Sequence, residues 1–154
     1  AIWVKAMKGP AVRLYESGLF DRALGDMIRP GGLKLTARVA EVARLDKTSN
    51  VLEIGCGKGT TACFLARRYT CNVVGIDLSD KMIALAKREA EAEKLVRKVK
   101  FLVADGKCLP FLDSAFDAVV CECSFSLLPD KEKAAREIKR VLRSAGTQVI
   151  SSTF

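Results

Sequence analysis

The chain has 154 residues, with 26 Lys plus Arg, 18 Asp plus Glu and no His, and carries a formal net charge of +8 at pH 7. A composition of 49% hydrophobic and 29% charged residues with 4 Pro excludes disordered and collagen-like chains and suits one domain able to bury a core. Without histidine, imidazole catalysis and His-ligated metal sites are excluded and no metal site is expected. No apolar run reaches the roughly 18 residues of a membrane span and no secretion signal is recognisable, so a cytoplasmic protein without membrane attachment is expected.

The first 50 residues read as helical segments broken by Gly18 and by Arg29-Pro30-Gly31-Gly32, which predicts a helical cap over residues 1–32 and a core over 33–154. Leu35, Val39 and Val42 predict the apolar stripe of a helix leading into the core. Val51-Leu52-Glu53-Ile54 reads as a first strand, and a glycine loop feeds a helix with Ala62, Leu65, Ala66 and Tyr69 on one face. Val73-Val74-Gly75-Ile76 is a second strand, followed by a helix that Ser79 caps and whose Ile83, Ala86 and Ala90 face inward. Residues 99–104 and 116–121 are a third and a fourth strand; a helix from Asp130 carries Ala134, Ile138, Val141 and Leu142 and stops at Gly146, and residues 147–154 are a fifth strand. Strands alternating with helices predict the α/β class with a covered parallel sheet.

The six cysteines, Cys56, Cys63, Cys71, Cys108, Cys121 and Cys123, contain no C-x-x-C pair and read as free, buried thiols. The basic excess lies in the first hundred residues, tightest at Arg97, Lys98 and Lys100. It reads as solvated helix faces, with nucleic acid as the alternative partner, because no basic-aromatic alternation accompanies it.

Four segments fall at the carboxyl ends of strands, where open parallel sheets bind ligands. Glu53-Ile54-Gly55-Cys56-Gly57-Lys58-Gly59-Thr60 places glycines where a backbone must turn tightly and approach a ligand. Its G-x-G-x-G spacing lacks the third glycine of a dinucleotide loop, since Thr60 stands there, and it is not a Walker loop. Asp77 ends the second strand and can accept two ribose hydroxyls, its other reading being a helix-entry residue. Asp105-Gly106 could meet an exocyclic amine or form an ordinary turn. Cys121-Glu122-Cys123 overlooks the same rim, so Glu122 could act as a base and the two thiols could face a reactive centre.

In their order and spacing the runs 51–60, 75–79, 104–106, 116–120 and 137–143 resemble class I S-adenosylmethionine-dependent methyltransferases. The resemblance implies a Rossmann-like doubly wound sheet, mainly parallel, with strand order 3-2-1-4-5. It implies S-adenosylmethionine as cofactor, S-adenosylhomocysteine as product, and methyl transfer by in-line displacement to an unidentified small-molecule acceptor. Position by position, Glu53, Gly55, Cys56, Gly57, Gly59 and Thr60 would meet the methionine part, and Asp77 the ribose. Leu78 and Met82 would flank the adenine, Asp105 and Gly106 would meet its amine, and the backbone at Cys121 and Glu122 would line the sulfonium. Tyr15, Gly31, Gly32 and Cys123 would belong to a lid or substrate cap. The family's last two strands are not seen after the fifth, so a trimmed chain is expected, with the open fifth strand as a possible homodimer edge. The alternatives are a cofactor-binding module without catalysis and a nicotinamide-dependent oxidoreductase.

Overall fold

The computed structural model describes residues 32–122 and 129–151. In chain order these form α1 (Gly32–Val42), β1 (Asn50–Ile54), α2 (Thr60–Tyr69), β2 (Asn72–Asp77), α3 (Asp80–Ala92), β3 (Val99–Val103), β4 (Phe116–Glu122), α4 (Lys131–Val141) and β5 (Leu142–Ser151). The strands make one sheet in the order β3-β2-β1-β4-β5, and every pairing is parallel. All carboxyl ends therefore share one rim, and the loops after β1, β2 and β3 meet there.

Helices cover both faces, which is why the central strands are apolar without a break. Val51, Val73, Phe101, Ala118 and Val120 pack with α1, α2 and α3 on one face. Leu52, Ile54, Ile76, Val119 and Cys121 pack with Ile138 and Val141 of α4 on the other. Asp117 ties the lower edge of the sheet together: its Oδ2 accepts the Asn50 N–H at 2.8 Å, and its Oδ1 meets Arg143 at 2.5 Å.

The helix faces of α2, α3 and α4 are those the periodicity predicts, and two caps are in place. Ser79 Oγ accepts the Met82 N–H at 3.1 Å and Asp130 Oδ1 the Lys133 N–H at 3.0 Å. Three expectations are corrected. In α1 the buried positions are Thr36, Val39 and Ala40, while Val42 is 69% exposed, so the inward face is rotated from the Leu35-Val39-Val42 stripe. The last helix ends at Val141, not at Gly146, because Leu142 turns extended and pairs with Phe116; Arg143 to Gly146 then form an irregularity before Thr147 pairs with Ala118. Gly146 is needed there for space, since a Cβ would lie 2.7 Å from Leu142 Cδ1. Cys108 is exposed, against the expectation of burial, whereas Cys56, Cys63, Cys71 and Cys121 are buried free thiols.

The cap proposed for residues 1–32 lies outside the described residues apart from Gly32, which opens α1. Among the described residues, no helix is long and apolar enough to cross a membrane.

Candidate functional site

The rim is built around the loop of residues 55–59. Gly55 and Cys56 both donate their N–H to Ile76 O, at 2.8 and 2.9 Å, so the loop folds over the end of β2. Gly57 N–H donates to Asp77 Oδ2 at 2.9 Å, and Asp77 Oδ1 accepts the Ser79 N–H at 2.9 Å. One carboxylate thus fixes the glycine loop and the entry to α3 together. The helix-entry reading of Asp77 therefore holds, and its carboxylate is half-buried at the rim.

Gly59 closes the loop and begins α2 in the left-handed region, with φ 82°, ψ 12° and no side-chain cap. A Cβ there would lie 2.6 Å from Phe101 Cζ, and one on Gly75 would lie 2.6 Å from Phe101 Cδ1. The Phe101 ring occupies the space that two glycines leave open. Sequence reasoning did not assign this supporting role to Gly75 and Phe101; the available signal was a glycine inside an otherwise β-branched strand.

Glu53 is 4% exposed at the end of β1, in register with Gly75 and Val120. Cys56 is buried beside it, and burial first, then the negative charges of Glu53 and Asp77, push its thiol far above the ordinary range. Its thiol is therefore neutral; it packs in the core and donates to Gly57 O at 3.8 Å within the loop. Thr60 is exposed at the start of α2, Leu78 is half-buried, and Met82 is 2% exposed in the first turn of α3.

Asp105 and Gly106 are buried in a turn that pairs Asp105 with Cys108. Asp105 Oδ1 accepts the Lys107 N–H at 2.9 Å and Oδ2 lies 3.7 Å from Lys107 Nζ, so the ordinary-turn reading holds and the carboxylate stands under a lysine. Cys121 corrects another expectation: its thiol is 0% exposed and packs in the α4-side core, so it does not face a reactive centre. Glu122 ends β4 with its backbone paired to Ser151, and its side chain lies outside what is described. Tyr15, Gly31 and Cys123 lie outside the described residues. Gly32 is the first residue of α1, on the chain before β1. Among the described residues, no group of three or more His, Cys, Asp or Glu side chains could hold a metal ion.

Two surface grooves, of about 410 and 460 Å³, lie at the opposite edge of the sheet. Arg143 and Gly146 line both, and neither reaches the glycine loop.

The parallel sheet and its acid-ended, glycine-looped rim define a Rossmann-like α/β domain. A family model described as a methyltransferase domain matches residues 51–146, and the chain belongs to that family. Demethylmenaquinone methyltransferase of Thermus thermophilus is 39% identical over 119 residues, covering 77% of this chain and 53% of that protein. The solved structure of the cyclase SpnF matches with 36% identity and a TM-score of 0.69, over 71% of this chain and 40% of that one. A methyltransferase of Thiobacillus denitrificans, solved with S-adenosyl-L-homocysteine, shares the fold at 24% identity and a TM-score of 0.72, over 88% of this chain and 53% of that one. The chain spans about half the length of the curated relatives it matches.

Proposed function

We propose that the chain binds S-adenosylmethionine along the carboxyl rim and directs its methyl group to a small-molecule acceptor. The observation that carries this reading is the Gly57 N–H given to Asp77 Oδ2 at 2.9 Å. In a dinucleotide site the loop amides face a pyrophosphate. Here a carboxylate takes the amide and would repel a diphosphate, whereas a phosphate-free nucleoside bearing a sulfonium cation suits a rim that carries Glu53, Asp77 and Asp105. This argues against the nicotinamide alternative. Membership of the methyltransferase domain family supports the same reading.

Asp77, which the two amides orient at the rim, would accept the ribose hydroxyls. Glu53 and the backbone of Gly55, Cys56, Gly57, Gly59 and Thr60 would hold the methionine part, with Leu78 and Met82 toward the adenine. Asp105 Oδ2 would take the adenine amine, sharing it with Lys107, and Gly106 would lie beside it. The bound cofactor supplies a methyl carbon already made electrophilic by its positive leaving group. The protein's work is then orientation and exclusion of water, and the lack of histidine costs nothing. Where the acceptor must lose a proton, Glu122 at the end of β4 is the base we assign.

A second reading, a binding domain that does not itself transfer methyl groups, is favoured by the match to a structure described as a cyclase. Calorimetric titration with S-adenosylhomocysteine, with NADH as control, tests the cofactor. Micromolar binding to the first alone is expected, and binding to NADH or to neither by folded protein would overturn the assignment. Transfer of labelled methyl groups to a panel of quinol, amine and thiol acceptors separates the two readings, since binding without turnover supports the second.

A further inference from the structure

The segment of residues 104–115, between β3 and β4, begins with Asp105 and Gly106 at the rim and returns to the opposite edge of the sheet without a helix or a strand of its own. Twelve residues of such chain would wander unless pinned. Leu109 and Phe111 anchor it in the α4-side core, and its polar pin is a pair of side chains one turn apart on α4. Glu137 Oε2 accepts the Leu109 N–H at 2.7 Å, and Glu137 is held by Arg140 through Nε at 2.8 Å and Nη2 at 2.9 Å. The same guanidinium donates to Phe111 O at 2.8 Å, Asp113 Oδ1 at 2.8 Å and Leu109 O at 3.0 Å. All five N–H donors of Arg140 are used, and Arg140 O accepts the Ser114 N–H at 2.9 Å.

We propose that Arg140, with Glu137, is a positioning residue for nucleobase recognition: it fixes the chain at Leu109, four residues beyond Asp105, and thereby sets where the Asp105 carboxylate stands. The inference rests on the cofactor reading above and adds to it a residue on the far side of the sheet that the cofactor does not touch. The geometry asks for arginine in particular. A planar fork can serve a carboxylate and two carbonyls at once, and a lysine ammonium with three donors cannot keep that arrangement. Ile138 and Val141 of α4 pack in the core together with Leu109 and Phe111 of this segment, so loss of the fork leaves the helix and these apolar anchors seated and removes the polar hold on the backbone at Leu109 and Phe111.

The test compares S-adenosylhomocysteine with S-inosylhomocysteine, in which oxygen replaces the adenine amine. The protein as it stands should prefer the first by about tenfold or more, the usual effect of a hydrogen bond to a charged acceptor. Arg140→Ala should lose most of that preference by binding S-adenosylhomocysteine about tenfold more weakly while its affinity for S-inosylhomocysteine stays within about twofold. Arg140→Lys, a milder change should the alanine variant not fold, should move in the same direction by a smaller factor. A general loss of structure would weaken both ligands together, and that result, or an unchanged preference in a folded variant, overturns the proposal. Failure of the unsubstituted protein to bind S-adenosylhomocysteine overturns the cofactor reading itself, so the two failures are told apart.

Discussion

Asp77 holds Gly57 with one carboxylate oxygen and Ser79 with the other, so on the proposed cofactor reading a change there acts on the fold and on the ligand at once. Asp77→Ala should lower unfolding stability by about 1–3 kcal/mol, because two loop amides lose their acceptors, and should weaken S-adenosylhomocysteine by a similar amount. Asp77→Asn keeps one acceptor oxygen for the amides and presents an NH2 group in place of the other. It should fold better than the alanine variant and still bind weakly. Urea unfolding beside calorimetry measures both, and unchanged affinity in a folded Asp77→Asn protein would remove Asp77 from the ribose role. The buried cysteines do different work. Burial pushes the Cys63 thiol up to about 12 and that of Cys71 up to about 11, so both stay neutral packing groups at ordinary pH.

The glycine loop depends on elements distant from it along the chain. The β3 ring of Phe101 fills the gap over Gly75 of β2 and under Gly59 at the start of α2, and Ala86 of α3 lies 3.0 Å from where a Gly59 Cβ would stand. Gly75→Ala should cost about 1–3 kcal/mol through crowding, and Phe101→Leu in the same chain should recover part of it. Gly59→Ala should cost as much and be rescued far less, because its φ of 82° is strained for any residue with a Cβ whatever the space. Denaturant unfolding of the single and paired variants decides this. Equal rescue at both glycines would mean that crowding alone, and not backbone conformation, selects them. Entry to α3 is fixed twice over, by the Ser79 cap and by the Asp77 bond to the Ser79 amide.

Two sets of titrating groups bound the stability of the protein. The hydrogen bond from Arg140, ahead of the cost of burial, holds the Glu137 carboxyl below its usual 4.5. A depressed folded value means that the fork stabilises fully above the unfolded pKa and that this is lost as pH falls through the folded one. Cys63 and Cys71 are raised from 9.0, so their contribution is full below that value and is lost as pH rises through the folded values of about 12 for Cys63 and about 11 for Cys71. Urea midpoints should therefore fall on both sides of a plateau, and Glu137→Gln should flatten the acid limb as pH falls below the ordinary 4.5 while leaving the alkaline limb in place. An acid limb unchanged in Glu137→Gln would show that other carboxylates control it.

The order of elements, the inward faces of α2, α3 and α4, the Ser79 cap, the start of α4 near Asp130 and the glycine loop were legible in the chain, because each is set by neighbours within a few residues. Periodicity and capping are local properties, and the β-branched runs already demanded a covered sheet. The inward face of α1 was not legible: Val42 is apolar yet exposed, and only packing against α2 chooses Thr36, Val39 and Ala40. Gly146 misled for the same reason. A strand partner, Phe116, captures Leu142 and ends the helix before the glycine is reached. Cys121 stood at the rim in sequence, but strand alternation turns its side chain into the α4 face. The amino-acid sequence by itself determined the strand-and-helix alternation, the family and the residues on the rim. Only the tertiary structure decided that Asp77 spends two of its acceptor positions on the chain, that Phe101 supports two glycines, and that Arg140 reaches 31 residues back to hold Leu109, because these bonds join segments distant along the chain.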